Sequence, residues 1–289
     1  MKKIIVPIDF SEESESGLDL AIKVANHMKK AKVEMVHVIK DSNDLYLAEE
    51  KEHRKEAKKS FQELIDKYKN QLAEGIELTY VIHKGRIHQE IVNHAKYHEA
   101  EMIIGSTHGA SGFEELFIGS NAHRIIASSQ LPTMVIRNGV APKSFDNILL
   151  PIDDTIETRQ KVPFTAELAK NFDAKIIVQT IYPTPDVQTK NKVKAYQDQV
   201  TEYLDQEKIR YDVKEYQGSI VKNVLECARE CDVDLIAVMA EEERTLSSFV
   251  LGTNVMELTR KANVPTLCIH QQNIYRVSDV FHHQSYPNG

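Results

Sequence analysis

Ile4-Ile5-Val6-Pro7-Ile8-Asp9 returns later in the chain as Ile148-Leu149-Leu150-Pro151-Ile152-Asp153, displaced by 144 positions. A short β-branched and aliphatic run that ends on Pro and Asp reads as a buried strand stopping at a turn. A nearly constant displacement links further stretches. Residues 33–38 match 176–181 at 143, while Gly85 matches Gly218, Gly119 matches Gly252, and Pro132-Thr133 matches Pro265-Thr266 at 133. Matches this widely spread identify an internal duplication. The second copy loses about ten residues between its second strand and Gly218.

Each copy alternates strand and helix patterns. In the first, residues 4–8 read as a strand, with a helix start at Ser11. Leu18, Ala21, Ile22 and Ala25 then fall at helical spacing over residues 17–30. Residues 33–39, 76–82, 102–105 and 133–136 read as strands. Residues 87–97 and 122–128 read as helices, and the charged stretch 45–72 as one long helix or two pieces. Strands alternating with helices imply a mostly parallel sheet covered on both faces. The expected fold class is therefore α/β: two tandem, doubly wound domains, each on a mostly parallel five-stranded sheet. The expected boundaries are 1–138 and 146–271. A turn-rich linker with Asn138-Gly139 and Pro142 joins them, and 272–289 forms a polar C-terminal tail.

Composition narrows the function classes. A length of 289 residues suits two domains, and 42% hydrophobic with 27% charged residues is an ordinary globular profile. The net charge of −7 gives no general attraction for nucleic acid or anionic lipid. Three cysteines, Cys227, Cys231 and Cys268, are too few and odd in number for a disulfide framework and fit a reducing compartment. No run reaches the roughly 18 apolar residues of a membrane helix. Pro7 and Asp9 interrupt the first apolar run too early for a signal peptide. The expected location is the cytoplasm, with no membrane partner.

Two features carry chemistry. Asp9 ends the first strand, at the sheet edge where open parallel sheets bind ligands. A carboxylate there can accept hydrogen bonds from ribose hydroxyls or cap the following helix. The second feature is Gly105-Ser106-Thr107-His108-Gly109 after the fourth strand, followed by Gly119-Ser120-Asn121 opening a helix. Glycines let backbone N–H groups approach phosphate oxygens, and a helix N-terminus adds unpaired donors and a favourable dipole. The lack of Gly-Lys-Ser/Thr excludes a Walker loop. A plain glycine turn with a serine cap is the structural alternative.

Pro7-Ile8-Asp9-Phe10-Ser11, His37-Val38, and Thr107-His108-Gly109 with nine residues before Gly119-Ser120 together resemble the universal stress protein family, once per copy. ATP-binding members of that family carry Gly, two residues, Gly, nine residues, then Gly-Ser/Thr. Here Ser106 replaces the first glycine, with Gly105 one place earlier. The resemblance implies an adenine nucleotide α-hydrolase-like fold. It also implies a site for ATP or another adenine nucleotide, with or without magnesium. Pro7, Ile8 and Asp9 would line the nucleoside end, and Val38 would offer its backbone to adenine. Gly105, Ser106, Gly109, Gly119, Ser120 and Asn121 would hold the phosphates. It further implies that the copies join through their last strands as an intramolecular pseudo-dimer, open to further homo-oligomerisation and to a protein partner of unknown identity. With no nucleophile–base pair or metal-binding carboxylate cluster beside the loop, a stress-response protein without efficient catalysis is expected. A nucleotide-independent interaction module and a slow ATP hydrolase are the alternatives.

The second copy breaks the loop. Ser106 becomes Met239 and Gly109 becomes Glu242 within Met239-Ala240-Glu241-Glu242-Glu243, although Gly252-Thr253 and Asp153 remain. Three acids there disfavour a triphosphate. The pairs His94/His98 and Cys227/Cys231, each four apart on a helix, offer two metal ligands but no further ones. They read as surface histidines and core thiols, and no metal site is expected.

Overall fold

The computed structural model describes residues 1–40, 47–107, 120–137, 142, 144–240, 242–245 and 248–271; the expected tail 272–289 and the linker turn at Asn138-Gly139 lie outside them. The first repeat runs β1 (Lys2–Pro7), α1 (Glu12–Asn26), β2 (Ala31–Lys40), α2 (Leu47–Tyr68), β3 (Ile76–Gly85), α3 (Ile87–Tyr97), β4 (Met102–Ser106), α4 (Ser120–Ser128) and β5 (Thr133–Ile136). The second runs β6 (Asn147–Ile152), α5 (Val162–Phe172), β7 (Lys175–Tyr182), α6 (Val187–Gln206), β8 (Tyr211–Gln217), α7 (Ile220–Glu230) and β9 (Leu235–Ala240). It continues with the hairpin β10 (Glu242–Thr245) and β11 (Ser248–Leu251), then α8 (Thr253–Lys261) and β12 (Thr266–His270).

The strand period of two sorts the core into layers. On β1, Ile4 and Val6 pack with Leu18, Ala21 and Ile22 of α1 and Phe61 of α2. Ile5, pointing the other way, packs with Ile91 of α3 and Ile125 of α4. All three β1 side chains are fully buried, each contributing roughly 1.5–3 kcal/mol relative to exposure. Helix α1 begins directly after Ser11, whose hydroxyl accepts the Ser14 N–H at 3.2 Å. It stops at Asn26, four residues short of the expected end. In α2 the buried residues Ala57, Phe61, Leu64 and Tyr68 fall three and four apart, and Phe61 stacks on Tyr80 with centroids 4.4 Å apart.

The strands form one ten-stranded sheet in the order β3-β2-β1-β4-β5-β12-β9-β6-β7-β8. Every neighbouring pair is parallel except β5 and β12, which meet antiparallel with Met134 opposite Leu267. Both residues are fully buried, so the halves share one continuous sheet. The hairpin β10–β11 is an element the sequence reading lacks: it arises in the acidic stretch after β9, and β11 packs against α4 of the other half. Among the described residues no helix is long and apolar enough to cross a membrane.

Candidate nucleotide site

Strand β1 leaves the sheet at Pro7 and enters a tight turn. Phe10 takes a left-handed φ of 67°, a conformation that costs an L-residue energy and persists only where neighbours enforce it. Its ring is held between His37 and Phe61, with centroids at 4.8 and 4.9 Å. Asp9 closes the turn: its Oδ1 accepts from the Ser11 N–H at 3.1 Å and the Ser11 hydroxyl at 2.5 Å. Asp153 repeats this in the second half, accepting from Thr155 N–H at 2.9 Å and the Thr155 hydroxyl at 2.5 Å. Retention of the acid in both copies therefore follows from turn geometry.

This turn borders a cavity of about 350 Å³ at the carboxyl edge of the sheet, within the size range of small-molecule sites. Its floor is apolar, formed by Val36, Ile87, Ile91, Ile103, Ile125 and Val135. Its polar lining comes from Asp9, His37 and Lys40 on one side and Ser106, Thr107 and Asn121 on the other. The Ile8 carbonyl lies 2.8 Å from His37 Nδ1. A carbonyl can only accept, so Nδ1 carries the hydrogen. Burial pushes the His37 pKa down, against the Ile8 hydrogen bond and the Asp9 charge, so the neutral ring keeps Nε2 as an acceptor.

Seven sequence-derived candidates line this one cavity: Pro7, Ile8, Asp9, Val38, Gly105, Ser106 and Asn121. Gly109 and Gly119 lie outside the described residues, and Ser120 is described only as the first residue of α4. Four residues of this cavity or its wall were not among the candidates. Ser14 accepts the Asp9 N–H at 3.4 Å and lines the cavity. Thr107 is fully buried and extends β4 by donating its N–H to Ile136 at 2.9 Å. Lys40 places an exposed cation at the end of β2. Gly17 lets α1 lie directly on β4: a Cβ there would sit 3.0 Å from the Gly105 carbonyl carbon and 3.1 Å from Ser106 N. A glycine inside a helical pattern is the signal that marks such an approach.

The second half replaces these features. Lys161 stands at the Gly17 position, buried, with Nζ donating to the Thr158 carbonyl at 2.6 Å. Gln179 stands at the Val36 position, fully buried, its amide donating to the Asn223 carbonyl at 2.7 Å. Val238, Met239 and Ala240 replace Gly105-Ser106-Thr107 and are buried.

His94 is not a surface histidine. It is buried, and its Nε2 lies 2.8 Å from Glu34 Oε2. Glu34 also pairs with Lys32 at 2.8 Å and approaches Lys3 at 3.9 Å. Burial alone would raise the Glu34 pKa, but Lys32, His94 and Lys3 outweigh it and bring it to about 2, from 4.5. Between those values the unfolded chain binds the extra proton, so Glu34 stabilises the fold above pH 4.5 and loses that contribution as pH falls toward 2. The whole effect is about 3 kcal/mol. Denaturant unfolding across this window should show the gap between wild type and Glu34→Gln shrinking as pH drops; a constant gap would contradict the assignment.

The sequence profile described as "Universal stress protein family" matches residues 1–137 and 144–270. Universal stress protein YxiE of Bacillus subtilis is 29% identical over 146 aligned residues, spanning 47% of this chain and 98% of YxiE. Universal stress protein MJ0577 of Methanocaldococcus jannaschii is 28% identical over 163, spanning 47% and 94%. Among solved structures, a universal stress protein from Archaeoglobus fulgidus superposes with TM-score 0.74 at 18% identity, over 93% of this chain and 98% of that one. At that identity the likeness speaks for the shared two-domain fold.

Proposed function

Because the chain belongs to the universal stress protein family, we propose that its first domain binds ATP or another adenine nucleotide, and that binding rather than turnover is its biochemical role. The observation that carries this reading is the convergence of Pro7, Ile8, Asp9, Val38, Gly105, Ser106 and Asn121 on one cavity. Its apolar floor suits a purine. Its far side leads to the N-terminus of α4, where Gly109, Gly119 and Ser120 would grip phosphates through backbone N–H groups. Lys40 adds a cation at the rim. The Gly17–Gly105 contact keeps side-chain bulk out of that wall.

Binding without efficient catalysis is favoured because the cavity's acid is already engaged: Asp9 caps its turn through the Ser11 N–H and hydroxyl, while His37, tied to the Ile8 carbonyl through Nδ1, offers a neutral Nε2 acceptor. The second domain, with Lys161, Gln179 and Met239 in the equivalent positions, takes no triphosphate. The protein acts as a cytoplasmic stress-response component that reports nucleotide occupancy to a protein partner.

Isothermal titration of the full chain with ATP tests this. Saturable binding with a negative heat-capacity change, the mark of apolar burial, is expected. No binding would sink the proposal and favour a nucleotide-independent interaction module. Steady hydrolysis well above a Ser120→Ala variant would make the protein an enzyme instead.

A further inference from the structure

Behind the cavity, under α3, three side chains form an unbroken chain. Glu34 Oε2 lies 2.8 Å from His94 Nε2, and His94 Nδ1 lies 2.9 Å from His83 Nε2. An ionised carboxylate only accepts, so His94 carries its hydrogen on Nε2. With burial holding His94 neutral, in opposition to Glu34, its Nδ1 is a bare acceptor and His83 donates from Nε2. The tautomers of both rings are thereby set by Glu34. One position stays open to a further proton: Nδ1 of half-buried His83. A proton there breaks no hydrogen bond in the chain. It turns two neutral donors in series into a charge-assisted relay ending on a carboxylate, which shortens and strengthens both bonds.

The chain spans three elements. Glu34 is on β2, His83 on β3 and His94 on α3, so its strength sets how tightly α3 is held to the sheet. His83 is the register partner of Val38, and Ile91 lies one helical turn before His94; Val38 and Ile91 both line the cavity. The other groups facing the chain are Lys3, Lys32 and Thr79 at Glu34, Glu77 opposite Lys32 across the β2–β3 pair, and His98, whose ring lies 4.2 Å from that of His94. Among the described residues no three His, Cys, Asp or Glu side chains are grouped to hold a metal ion.

The duplication supplies an internal control. At the same offsets, Glu34, His83, His94 and His98 become Ile177, Tyr216, Cys227 and Cys231. The relay is confined to the copy that keeps the glycine loop.

We propose that the Glu34–His94–His83 chain is a proton-binding site that regulates the first-domain cavity, protonation of His83 tightening α3 against β2 and β3 and raising affinity for the nucleoside. The proton site stands on the hydrogen-bond geometry; its coupling to a ligand rests on the nucleotide reading above.

Two arms separate these. In the first, without ligand, NMR of labelled histidines and isoleucine methyls in the full chain is followed from pH 8 to 5. His94 should stay protonated on Nε2 throughout, and the Ile91 methyl should shift with the His83 midpoint. In His83→Gln, which keeps an N–H donor but cannot titrate, the Ile91 shift should vanish while His94 stays protonated on Nε2. Independent titration of His83, with Ile91 unmoved, would overturn the proposal, whatever the chain binds. In the second arm adenosine, which has no group titrating in this range, is bound at pH 7.5 and 5.5. Wild type should bind about tenfold tighter at the lower pH, and by reciprocity adenosine should raise the His83 midpoint by about one unit. Equal affinities at both pH values, with His83→Gln indistinguishable from wild type, would refute the coupling. Failure of adenosine to bind at either pH would refute the nucleotide reading and with it the coupling, while the first arm still decides the proton site.

Discussion

Gly109→Glu, which copies into the first domain the residue that Glu242 supplies in the second, is expected to weaken ATP binding about 100-fold. A carboxylate about 5 Å from one phosphate charge opposes it by roughly 3 kcal/mol at an effective dielectric near 20, which corresponds to about two decades of affinity. The added side chain also occupies the space through which backbone N–H groups reach the phosphate. The loss should be selective: adenosine, lacking phosphates, should bind the variant within a few-fold of wild type. Fluorescence titration with ATP and adenosine separates the two, and an equal loss for both would mean that the substitution damages the fold rather than the phosphate subsite.

Gly17→Val is expected to lower stability by roughly 2–3 kcal/mol, the cost of overpacking a close contact. The Cβ alone would sit 3.0 Å from the β4 backbone, a contact that no choice of rotamer relieves, and the two valine γ-carbons add further bulk. The helix-propensity gain from replacing glycine offsets only a few tenths of that. Because the obstacle is the Gly105-Ser106 backbone, the strand that moves is the wall of the cavity, so nucleotide affinity should fall along with the thermal midpoint. Gly17→Ala should move both in the same direction by less. Calorimetric melting with and without ATP measures both, and a valine variant as stable as wild type would show that α1 and β4 are not in the close contact described.

The duplication, the five strands of each half and seven of the residues that line the cavity were legible in the sequence because they rest on local signals. Residues 87–97 and 133–136 were read with the bounds of α3 and β5, since apolar periodicity and flanking turn residues agree there. The Pro7-Ile8-Asp9 turn was legible as a strand end at the carboxyl edge of the sheet, yet what Asp9 hydrogen-bonds was not: ribose and helix cap make the same demand on a carboxylate. Misreadings arose where an interaction joins distant segments. Glu34 sits between Val33 and Met35, and strict alternation puts it on the face of Val36 and Val38, so its burial was implied. Its partners Lys3 and His94 are 31 and 60 residues away in sequence and gave no local sign. His94 itself follows Ile91 by three and precedes Ala95, a buried stripe that argued against a surface position. The hairpin β10–β11 escaped because acids at Glu242 and Glu243 are poor strand formers, and pairing with residues 248–251 overrides that preference.

The most direct test of one functional nucleotide site on a two-domain frame is stoichiometry. Native mass spectrometry of the full chain in excess ATP should show one nucleotide per chain for wild type and for Glu242→Gly, and loss of that one in Gly109→Glu. Two nucleotides per wild-type chain, or a single one retained undiminished by Gly109→Glu, would contradict the account.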